Sequence, residues 1–410
     1  MKILVLNCGS SSVKYKLIDT ADEKVLAEGG VEKIGLHDGF LKYRLADGSK
    51  AIRELGLVDH KGAVKAVLDI LTDPEVGCIK SYSEIDAVGH RVVHGAEKFS
   101  KSVLLTNEVL QQVKDCYDLA PLHNPANVTG IEAVEEILPG IKQVGVFDTA
   151  FHQTMPAKSF MYALPYKFYK EDGVRRYGFH GTSHRYVSQR VCEILGVDIN
   201  TQKIITCHVG NGGSITAVLD GKSVDTSMGL TPTEGLMMGT RVGDVDPGAL
   251  VFLMKKHNLS ADELQKIINK ESGVMGITGL SSRGGTPGPS PDMREIEAAD
   301  KNGEELAHLA LEMYEQRIVK YIGAYAAEMG GVDIIVFTGG VGENQTGLRG
   351  NVCRPLAFMG VEIDEEVNAR TRGTETVIST PASKVKVVVV PTDEELMIAR
   401  DTEAIVNAAK

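Results

Sequence analysis

The sequence lacks the features that mark several classes of protein. Its 410 residues contain no run of about eighteen apolar residues, so no membrane-spanning helix is predicted. The six cysteines are scattered without C-x-x-C pairs, which is typical of reduced thiols rather than of disulfides or zinc. The formal net charge of −11 argues against a nucleic-acid partner, because nucleic acid selects basic surfaces. A small anionic substrate remains compatible with this charge, since local basic clusters override the net value.

Further features of the sequence limit which folds and which cellular locations are expected. Neither the Walker pattern G-x-x-x-x-G-K-[ST] nor the Rossmann pattern G-x-G-x-x-G after a first strand is present. Met1 and Lys2 lead straight into an apolar strand, so we expect no signal peptide and a cytoplasmic protein. The chain is too long for one core, and its 43% of apolar residues is enough to fill two domains.

Two segments share a pattern of strand, polar turn and strand. Residues 3–6 are an apolar run, and residues 13–17 alternate apolar and basic side chains, as on a half-buried strand. The turn between them contains asparagine, glycine and three serines, which can donate hydrogen bonds to phosphate oxygens or face a hydrated cation. Residues 203–218 repeat the pattern. Taken alone, each segment also fits an ordinary Ser/Gly hairpin.

A third segment differs in its second half. Residues 332–337 form an apolar run that continues into a glycine-rich stretch at residues 338–344. Two hairpin turns and a glycine-rich strand end are what a nucleotide needs if it lies in a cleft between two related halves of a chain. The sequence therefore predicts a nucleotide-binding protein of internally repeated α/β type.

Seven blocks in the same order along the chain resemble the acetate kinase family, whose superfamily also contains sugar kinases, actin and the heat-shock chaperone ATPases. Any one block alone would be weak, but together they extend over the whole length. They are residues 7–14, 89–95, 120–125, 146–152, 177–184, 238–241 and 391–395.

The resemblance implies an α/β fold with two related domains of the actin-like ATPase, ribonuclease H-like type. Each domain has a mixed sheet flanked by helices, and the nucleotide is expected in an interdomain cleft. We predict an N-terminal domain of residues 1–149 with a C-terminal helix at about 395–410. Residues 150–394 form the second, nucleotide-binding and dimerisation domain. Residues 283–291 have three prolines and three glycines, which predicts a surface loop insertion.

Two helices of the second domain are predicted from spacing. Apolar residues at helical intervals indicate a long helix from about Glu304 to Met329, ended by a pair of glycines. Thr182 and Ser183 are interpreted as the cap of another helix, which Gly196 closes.

The implied reaction is reversible in-line phosphoryl transfer, ATP plus acetate to acetyl phosphate plus ADP, with Mg²⁺ or possible Mn²⁺ as cofactor. A carboxylate needs no base, but each unscreened like-charge pair at about 4 Å costs on the order of 4 kcal/mol at an effective dielectric of 20. The site therefore needs cations, and it acts by alignment and charge stabilisation. By resemblance, the catalytic residues are Arg91, Asp148, His180 and Arg241.

The remaining site residues also follow from the resemblance. Magnesium is expected at Asn7 and Glu394, together with Asp148 and largely through water, with Asp148 alternatively orienting an arginine. The acetate site is assigned to Arg91, Val93, Leu122, Phe179 and Pro232. The nucleotide site is assigned to Lys14, His208, Val209, Gly210, Asn211, Gly212, Asp292, Met293, Arg294, Gly339, Gly340, Val341, Gly342 and Asn344.

Several alternatives remain open. A propionate kinase would use the same scaffold, since an apolar pocket discriminates one methylene by only about 1 to 3 kcal/mol. A chaperone-like or actin-like ATPase that switches partners is the alternative of a different class. His90 and His94 have the spacing of a zinc helix, but their neighbours suit a strand and a turn, and His184 is expected to be structural. A homodimer is expected by resemblance. Ala96, Gly213 and Met293 depart from the residues usual in the family.

Overall fold

The computed structural model describes residues 1–44, 48–121, 123–279 and 292–409. The predicted loop insertion at 283–291 and Leu122 lie outside these ranges. The chain forms two compact units, Met1–Gln153 with Asp393–Lys410, and Thr154–Thr392. The predicted divisions at 149/150 and 394/395 differ from these by a few residues.

The first unit is built on an eight-stranded sheet with the order β5-β4-β3-β2-β1-β6-β8-β7. Its strands are β1 (Lys2–Cys8), β2 (Ser12–Asp19), β3 (Lys24–Glu32), β4 (Gly39–Arg44), β5 (Lys50–Gly56), β6 (Ala87–Val92), β7 (Val103–Leu104) and β8 (Lys142–Phe147). Its helices, numbered in chain order, are α1 (His60–Leu71), α2 (Asn107–Lys114), α3 (Asn124–Ile137) and the C-terminal α15 (Glu394–Ala408), with 3₁₀ turns at Tyr82–Glu84 and Ala150–Thr154.

The centre of this sheet brings three strand ends to one edge. β1 is antiparallel to β2 but parallel to β6, and β6 is parallel to β8. The carboxyl ends of parallel strands meet at the same edge of a sheet, which is where open α/β folds bind ligands. Asn7 near the end of β1, Arg91 near the end of β6 and Asp148 directly after β8 therefore lie along one edge.

The second unit is built on a six-stranded sheet with the order β11-β10-β9-β12-β14-β13. Its strands are β9 (Lys203–Val209), β10 (Gly213–Leu219), β11 (Lys222–Thr226), β12 (Ile334–Thr338), β13 (Thr376–Val377) and β14 (Lys386–Val389). Its helices are α4 (Ala157–Phe160), α5 (Tyr166–Asp172), α6 (Gly181–Leu195), α7 (Pro247–His257), α8 (Ala261–Lys270), α9 (Gly273–Thr278), α10 (Met293–Lys301), α11 (Glu305–Glu328), α12 (Gly339–Asn344), α13 (Thr346–Cys353) and α14 (Glu365–Arg370), with 3₁₀ turns at Ile199–Thr201 and Arg354–Met359.

The two sheets repeat one strand order. In the first, β3-β2-β1 are antiparallel and β6 and β8 continue in parallel with β1. In the second, β11-β10-β9 are antiparallel and β12 and β14 continue in parallel with β9. The predicted α/β class, with mixed sheets flanked by helices, is confirmed.

The long helix α11 provides much of the core of the second unit. Its buried face packs Ala310, Tyr314, Ile318 and Ile322 against apolar residues of the sheet. The helix lies within one residue of the predicted bounds at either end, and Gly330 follows it in the left-handed region at φ 68°. Among the described residues, no helix is long and apolar enough to cross a membrane.

Candidate active site

The edge of the first sheet holds an ion pair between Arg91 and the buried Asp148. Nε of Arg91 donates to both carboxylate oxygens at 3.0 and 3.1 Å, and Nη2 donates to Oδ2 at 2.6 Å. The Asp148 side chain is 2% exposed and that of Arg91 27%. The Asp148 charge raises the pKa of Arg91 and outweighs the lowering effect of burial. Of the two roles considered for Asp148, the structure shows the orientation of an arginine.

One arginine nitrogen is left over for another partner. Nη1 of Arg91 is not used by Asp148 and lies 3.4 Å from the amide oxygen of Asn7, a long hydrogen bond. Because Asp148 fixes the plane of the guanidinium, the direction in which Nη1 points is fixed as well. Arg91 can thus present one oriented N–H edge to an anion while its other edge stays paired.

Three consecutive acidic residues begin α15. Asp393 caps the helix by accepting from the backbone N–H of Leu396 at 3.0 Å, so the helix starts at Glu394, one residue earlier than predicted. Lys16 pairs with Glu395 at 3.1 Å and lies 3.7 Å from Asp393. Burial and the nearby charge of Asp148 raise the pKa of Glu394 to about 7, against the opposing effect of Arg91. Of these three acidic residues, Glu394 is therefore the one whose carboxylate has too little positive charge nearby.

The oxygen atoms of Asn7, Asp148 and Glu394 suit a magnesium ion. Magnesium prefers oxygen ligands and keeps several waters. The raised pKa of Glu394 indicates that a cation would be favoured near this carboxylate. Among the described residues, no group of three His, Cys, Asp or Glu side chains converges as a metal cage. The oxygens of Asn7, Asp148 and Glu394 are of the type that magnesium prefers, and a largely hydrated ion at these residues stays a prediction.

In the second unit, two polar side chains converge on the turn between β9 and β10. A Cβ atom built on Gly212 would lie 3.3 Å from Nη1 of Arg241 and 3.8 Å from Nε2 of His180. Glycine at this position leaves a small space next to both groups. The imidazole of His180 also stacks on that of His208, with ring centroids 4.2 Å apart.

Arg241 differs from Arg91 in its partners. Its Nη1 donates to the carbonyl oxygen of Pro232 at 3.1 Å and lies 4.0 Å from the sulfur of Met238. No carboxylate pairs with Arg241 within the ranges that the structure describes. Burial lowers the pKa of its guanidinium. A half-buried cation without a counter-ion favours the binding of an anion.

His180 occupies the N-cap of α6 in the left-handed region, at φ 56°. The predicted cap at Thr182 and Ser183 is therefore wrong, because both residues already lie in the first turn. The hydroxyl of Ser183 has other partners, with Nδ1 of His208 and Oγ1 of Thr392 each at 2.8 Å. A non-glycine residue at positive φ is uncommon, and here the strained backbone lies at a predicted catalytic residue.

The second unit contains a cavity of about 1040 Å³ beside the same turn. It is formed by the β9–β10 turn, the start of α10, one face of α11 and the segment from α12 to α13. Of the predicted nucleotide residues, those that line it are Gly210, Asn211, Asp292, Met293, Arg294, Gly340, Val341 and Asn344.

The other predicted nucleotide residues lie elsewhere. Lys14 is in the first unit, exposed on β2 opposite Asn7. The remaining ones support or adjoin the cavity without lining it; these are His208, Val209, Gly212, Gly339 and Gly342. Gly339 has φ 78°, and a Cβ there would lie 2.7 Å from the carbonyl oxygen of Val209, so only glycine fits between α12 and β9.

One protein family matches almost the whole chain. The sequence matches the model of the acetokinase family over residues 2–400. The chain belongs to the acetokinase family. Acetate kinase of Bacteroides thetaiotaomicron is 61% identical over 402 residues, which are 98% of each chain. That of Phocaeicola vulgatus is 61% identical over 407 residues, which are 99% of this chain and all of the other. The predicted resemblance is confirmed.

Solved structures of the same family are similar throughout. The crystal structure of Porphyromonas gingivalis acetate kinase has a TM-score of 0.94 at 59% identity and covers 99% of both chains. A propionate kinase from Francisella tularensis has a TM-score of 0.90 at 42% identity and covers 98% of this chain and 99% of its own.

Of the described residues predicted to bind the acyl group, one lies in the first unit and two lie in the second. Val93 follows β6 in the first unit, is 9% exposed and donates its N–H to Asn127 Oδ1 at 3.1 Å. Phe179, buried, and Pro232, half-buried, belong to the second unit. Leu122 lies outside the described residues.

The far wall of the cavity in the second unit was not predicted from the sequence. The missed residues lie on α10, α11 and the stretch after α12, and they include Glu297, Lys301, Glu315 and Arg372. Glu297 and Lys301 are four residues apart on α10, after Met293, so helical spacing would have placed them on the cavity face. Burial raises the pKa of Glu297 and of Glu315. Nothing in the sequence near Arg372 pointed to this cavity.

Proposed function

We propose that this chain is an acetate kinase that transfers the γ-phosphoryl group of ATP reversibly to acetate, giving acetyl phosphate and ADP with magnesium. Family membership supports the reaction class, and the observation that carries the proposal is at Gly212. There, an arginine without a carboxylate partner among the described residues and a histidine ring flank one small space. Gly210 and Asn211, in the same turn, line the cavity assigned to the nucleotide.

The chemistry needs charge stabilisation rather than a base. An oxygen of acetate forms a bond to the γ-phosphorus while the bond to the bridging oxygen of ADP breaks in line, and the bond electrons leave on ADP. The acetate carboxylate is already ionised at neutral pH, so no side chain removes a proton. We assign Arg241 and His180 to the equatorial oxygens of the transferring group, where donors stabilise the developing charge.

Arg91 is assigned to the acetate carboxylate. Asp148 holds Nε and Nη2, so Nη1 remains as the oriented donor for a second carboxylate. This arrangement explains why a negative residue belongs in a site for negative substrates: it directs the arginine and leaves part of its charge available. Orientation of this kind contributes to the rate by fixing the attacking group.

Magnesium would be held by Asn7, Asp148 and Glu394, in part through water. When bound, the ion neutralises phosphate charge. The ionised form of Glu394 is the form that binds a cation, and a bound cation would offset the repulsion between Glu394 and Asp148. We expect added magnesium to raise the melting temperature of the wild-type protein more than that of Glu394→Gln. Equal shifts in the two proteins would remove Glu394 from the ion site.

The acyl specificity is assigned to Val93, Leu122, Phe179 and Pro232. A propionate kinase is the second candidate, because a 42% identical structure in this family bears that name. Val93→Ala removes two methyl groups and should raise the kcat/KM for propionate relative to acetate about tenfold. An unchanged ratio would place Val93 outside the acyl pocket.

The activity itself is tested by product trapping. Hydroxylamine converts an acyl phosphate to a hydroxamate, so ATP and a series of short-chain acids should give the strongest signal with acetate. ADP release without added carboxylate would instead support a nucleotide-switch ATPase. Arg241→Ala should reduce turnover about 10²- to 10³-fold. Arg190→Ala, which removes an exposed arginine paired with Glu375, is the matched control and should leave turnover unchanged.

The proposal extends to assembly and location. Apolar side chains on the surface of the second unit, among them Phe252 at 59% and Val251 at 49% exposure on α7, support a homodimer. Light scattering after size-exclusion chromatography tests the homodimer, and a monomeric mass would contradict it. The six free cysteines and the use of ATP support a cytoplasmic enzyme.

A further inference from the structure

A chain of hydrogen bonds runs from the sheet of the second unit to His180. Oγ1 of Thr206, on β9, lies 2.6 Å from Nδ1 of His184. Nε2 of His184 lies 2.7 Å from Oγ of Ser214, on β10, and the same hydroxyl lies 2.9 Å from Nδ1 of His180. Thr206, His184 and Ser214 are all 0% exposed. These three side chains are therefore shielded from water, and each of their polar protons needs a hydrogen-bond partner.

The donors and acceptors in this series of hydrogen bonds are set by Thr206, at the end away from His180. His184 Nδ1 is the hydrogen-bond partner of Thr206 Oγ1, and within the described ranges this hydroxyl has no other. A buried hydroxyl has one proton, and leaving it without an acceptor is costly. Thr206 therefore donates to Nδ1 of His184. The neutral His184 ring then carries its proton on Nε2.

The proton positions of His184 and Ser214 fix that of His180. Nε2–H of His184 donates to Oγ of Ser214, so the single proton of that hydroxyl is free to point the other way, to Nδ1 of His180. His180 then accepts at Nδ1 and carries its own proton on Nε2. Nε2 is the ring nitrogen 3.8 Å from the Cβ position of Gly212, in the space next to Arg241.

We propose that Thr206, His184 and Ser214 are positioning residues that hold His180 as a hydrogen-bond donor through Nε2. The inference rests on the proposed function only for the acceptor, an oxygen of the transferring phosphoryl group. The opposite tautomer would present a bare lone pair to a negative oxygen, which is repulsive. His184 thus acts on the reaction through His180 and Ser214, without contact with the substrates.

The tautomers can be read directly. Long-range ¹H–¹⁵N correlation spectra of the ¹⁵N-histidine-labelled chain distinguish a protonated ring nitrogen from a bare one. We expect both His180 and His184 to carry the proton on Nε2 and not on Nδ1. Thr206→Val should shift the His184 nitrogen signals towards the average of two tautomers. Thr216→Val removes a buried hydroxyl at the paired position of β10, bonded instead to Thr226, and should leave them unchanged.

The kinetic consequence is tested separately. Ser214→Ala should lower kcat about tenfold and leave both KM values within about twofold, because the orientation of His180 matters chiefly in the transition state. Ser188→Ala removes an equally buried hydroxyl of α6 and should have no effect. Thr206→Val, two hydrogen bonds from His180, should show a smaller fall in kcat.

Two results would overturn the inference. One is a proton on Nδ1 of His180 or His184 in the wild-type spectra. The other is the same kcat for Ser214→Ala as for Ser188→Ala. If Ser214→Ala does not fold, the spectra of wild type and Thr206→Val still decide. Because the spectra need no substrate, a failure of the acetate kinase assay would overturn the proposed function and leave the tautomers measurable.

Discussion

Arg91 and Asp148 form a pair in which the anion is buried and the cation is not. The carboxylate of Asp148 is 2% exposed and receives three N–H contacts, whereas 27% of the Arg91 side chain reaches the surface. The two partners are therefore not equivalent when one of them is removed. A carboxylate left alone cannot be hydrated, but a guanidinium left alone can.

Arg91→Ala should destabilise the fold more than Asp148→Asn does. We expect a loss of about 3 kcal/mol or more for the arginine variant, the scale of an unpaired buried charge, and a smaller loss for the asparagine variant. Urea unfolding of both at pH 7 measures the difference. Equal losses would show that Asp148 becomes hydrated or protonated when Arg91 is absent.

Gly212→Ala should reduce turnover with little change in stability. The added methyl would lie 3.3 Å from Arg241 Nη1 and 3.8 Å from His180 Nε2, in the space assigned to the phosphoryl group. We expect kcat/KM for ATP to fall about 10- to 100-fold, since small misplacements of reacting groups are costly. Gly323→Ala on α11, whose added methyl has no heavy atom within 4 Å, is the control and should retain full activity. Normal turnover in Gly212→Ala would place the phosphoryl group elsewhere.

Asp225→Asn should stabilise the protein at high pH. Burial, with a contribution from Glu328, raises the pKa of Asp225 from 3.8 to about 7, against the opposing charge of Arg176 at 3.7 Å. The native state therefore holds a proton that the unfolded state has lost between about pH 4 and 7, so this group lowers stability as the pH rises through that window. Asparagine removes this penalty, which we expect to be on the order of 2 kcal/mol at pH 8 and small at pH 4.

Melting curves of wild type and Asp225→Asn at pH 4 and pH 8 test this prediction. Asp220→Asn removes the same charge from an exposed turn and should give the same difference from wild type at both pH values. A pH-independent change for Asp225→Asn would mean that the native carboxyl titrates normally.

Ala96→Gly should stabilise the first unit slightly. Ala96 has φ 48°, a conformation that costs an L-residue about 1 to 2 kcal/mol. Part of the gain is offset by the greater freedom of glycine in the unfolded chain, so we expect up to about 1 kcal/mol. Ala66→Gly, inside α1, should instead destabilise by about 1 kcal/mol. Thermal unfolding of both variants measures whether each gains or loses stability. A loss of stability in Ala96→Gly would show that Ala96 is not strained.

Strands and helices that are marked by a pattern within a short stretch of residues could be predicted from the sequence. The apolar runs of β1 and β9, and the helical spacing of α11, gave their positions within a residue or two, because periodicity and burial coincide there. The glycine-rich strand end contributes Gly340, Val341 and Asn344 to the cavity wall. Resemblance supplied Arg91, Asp148, His180 and Arg241.

What could not be predicted depends on partners distant in the chain. The sequence left open whether Asp148 pairs with an arginine, and only the geometry shows its contact with Arg91. The cap of α6 was wrong because Ser183 binds His208 and Thr392, which are 25 and 209 residues away. No local pattern marks Ser214 as the hydroxyl shared by His180 and His184.

The discontinuity of the first unit has a consequence during synthesis. Helix α15 packs on β1, β6 and β8. Gly89 of β6 has no side chain, and Thr402 and Ile398 of α15 fill the space where one would lie. The ribosome makes this helix after every residue of the second unit. The sheet made first therefore waits with one apolar face uncovered, while the second unit has all its strands available earlier. Nascent chains halted before residue 394 should expose that face to chaperones, and we expect the first unit to complete its folding after the second.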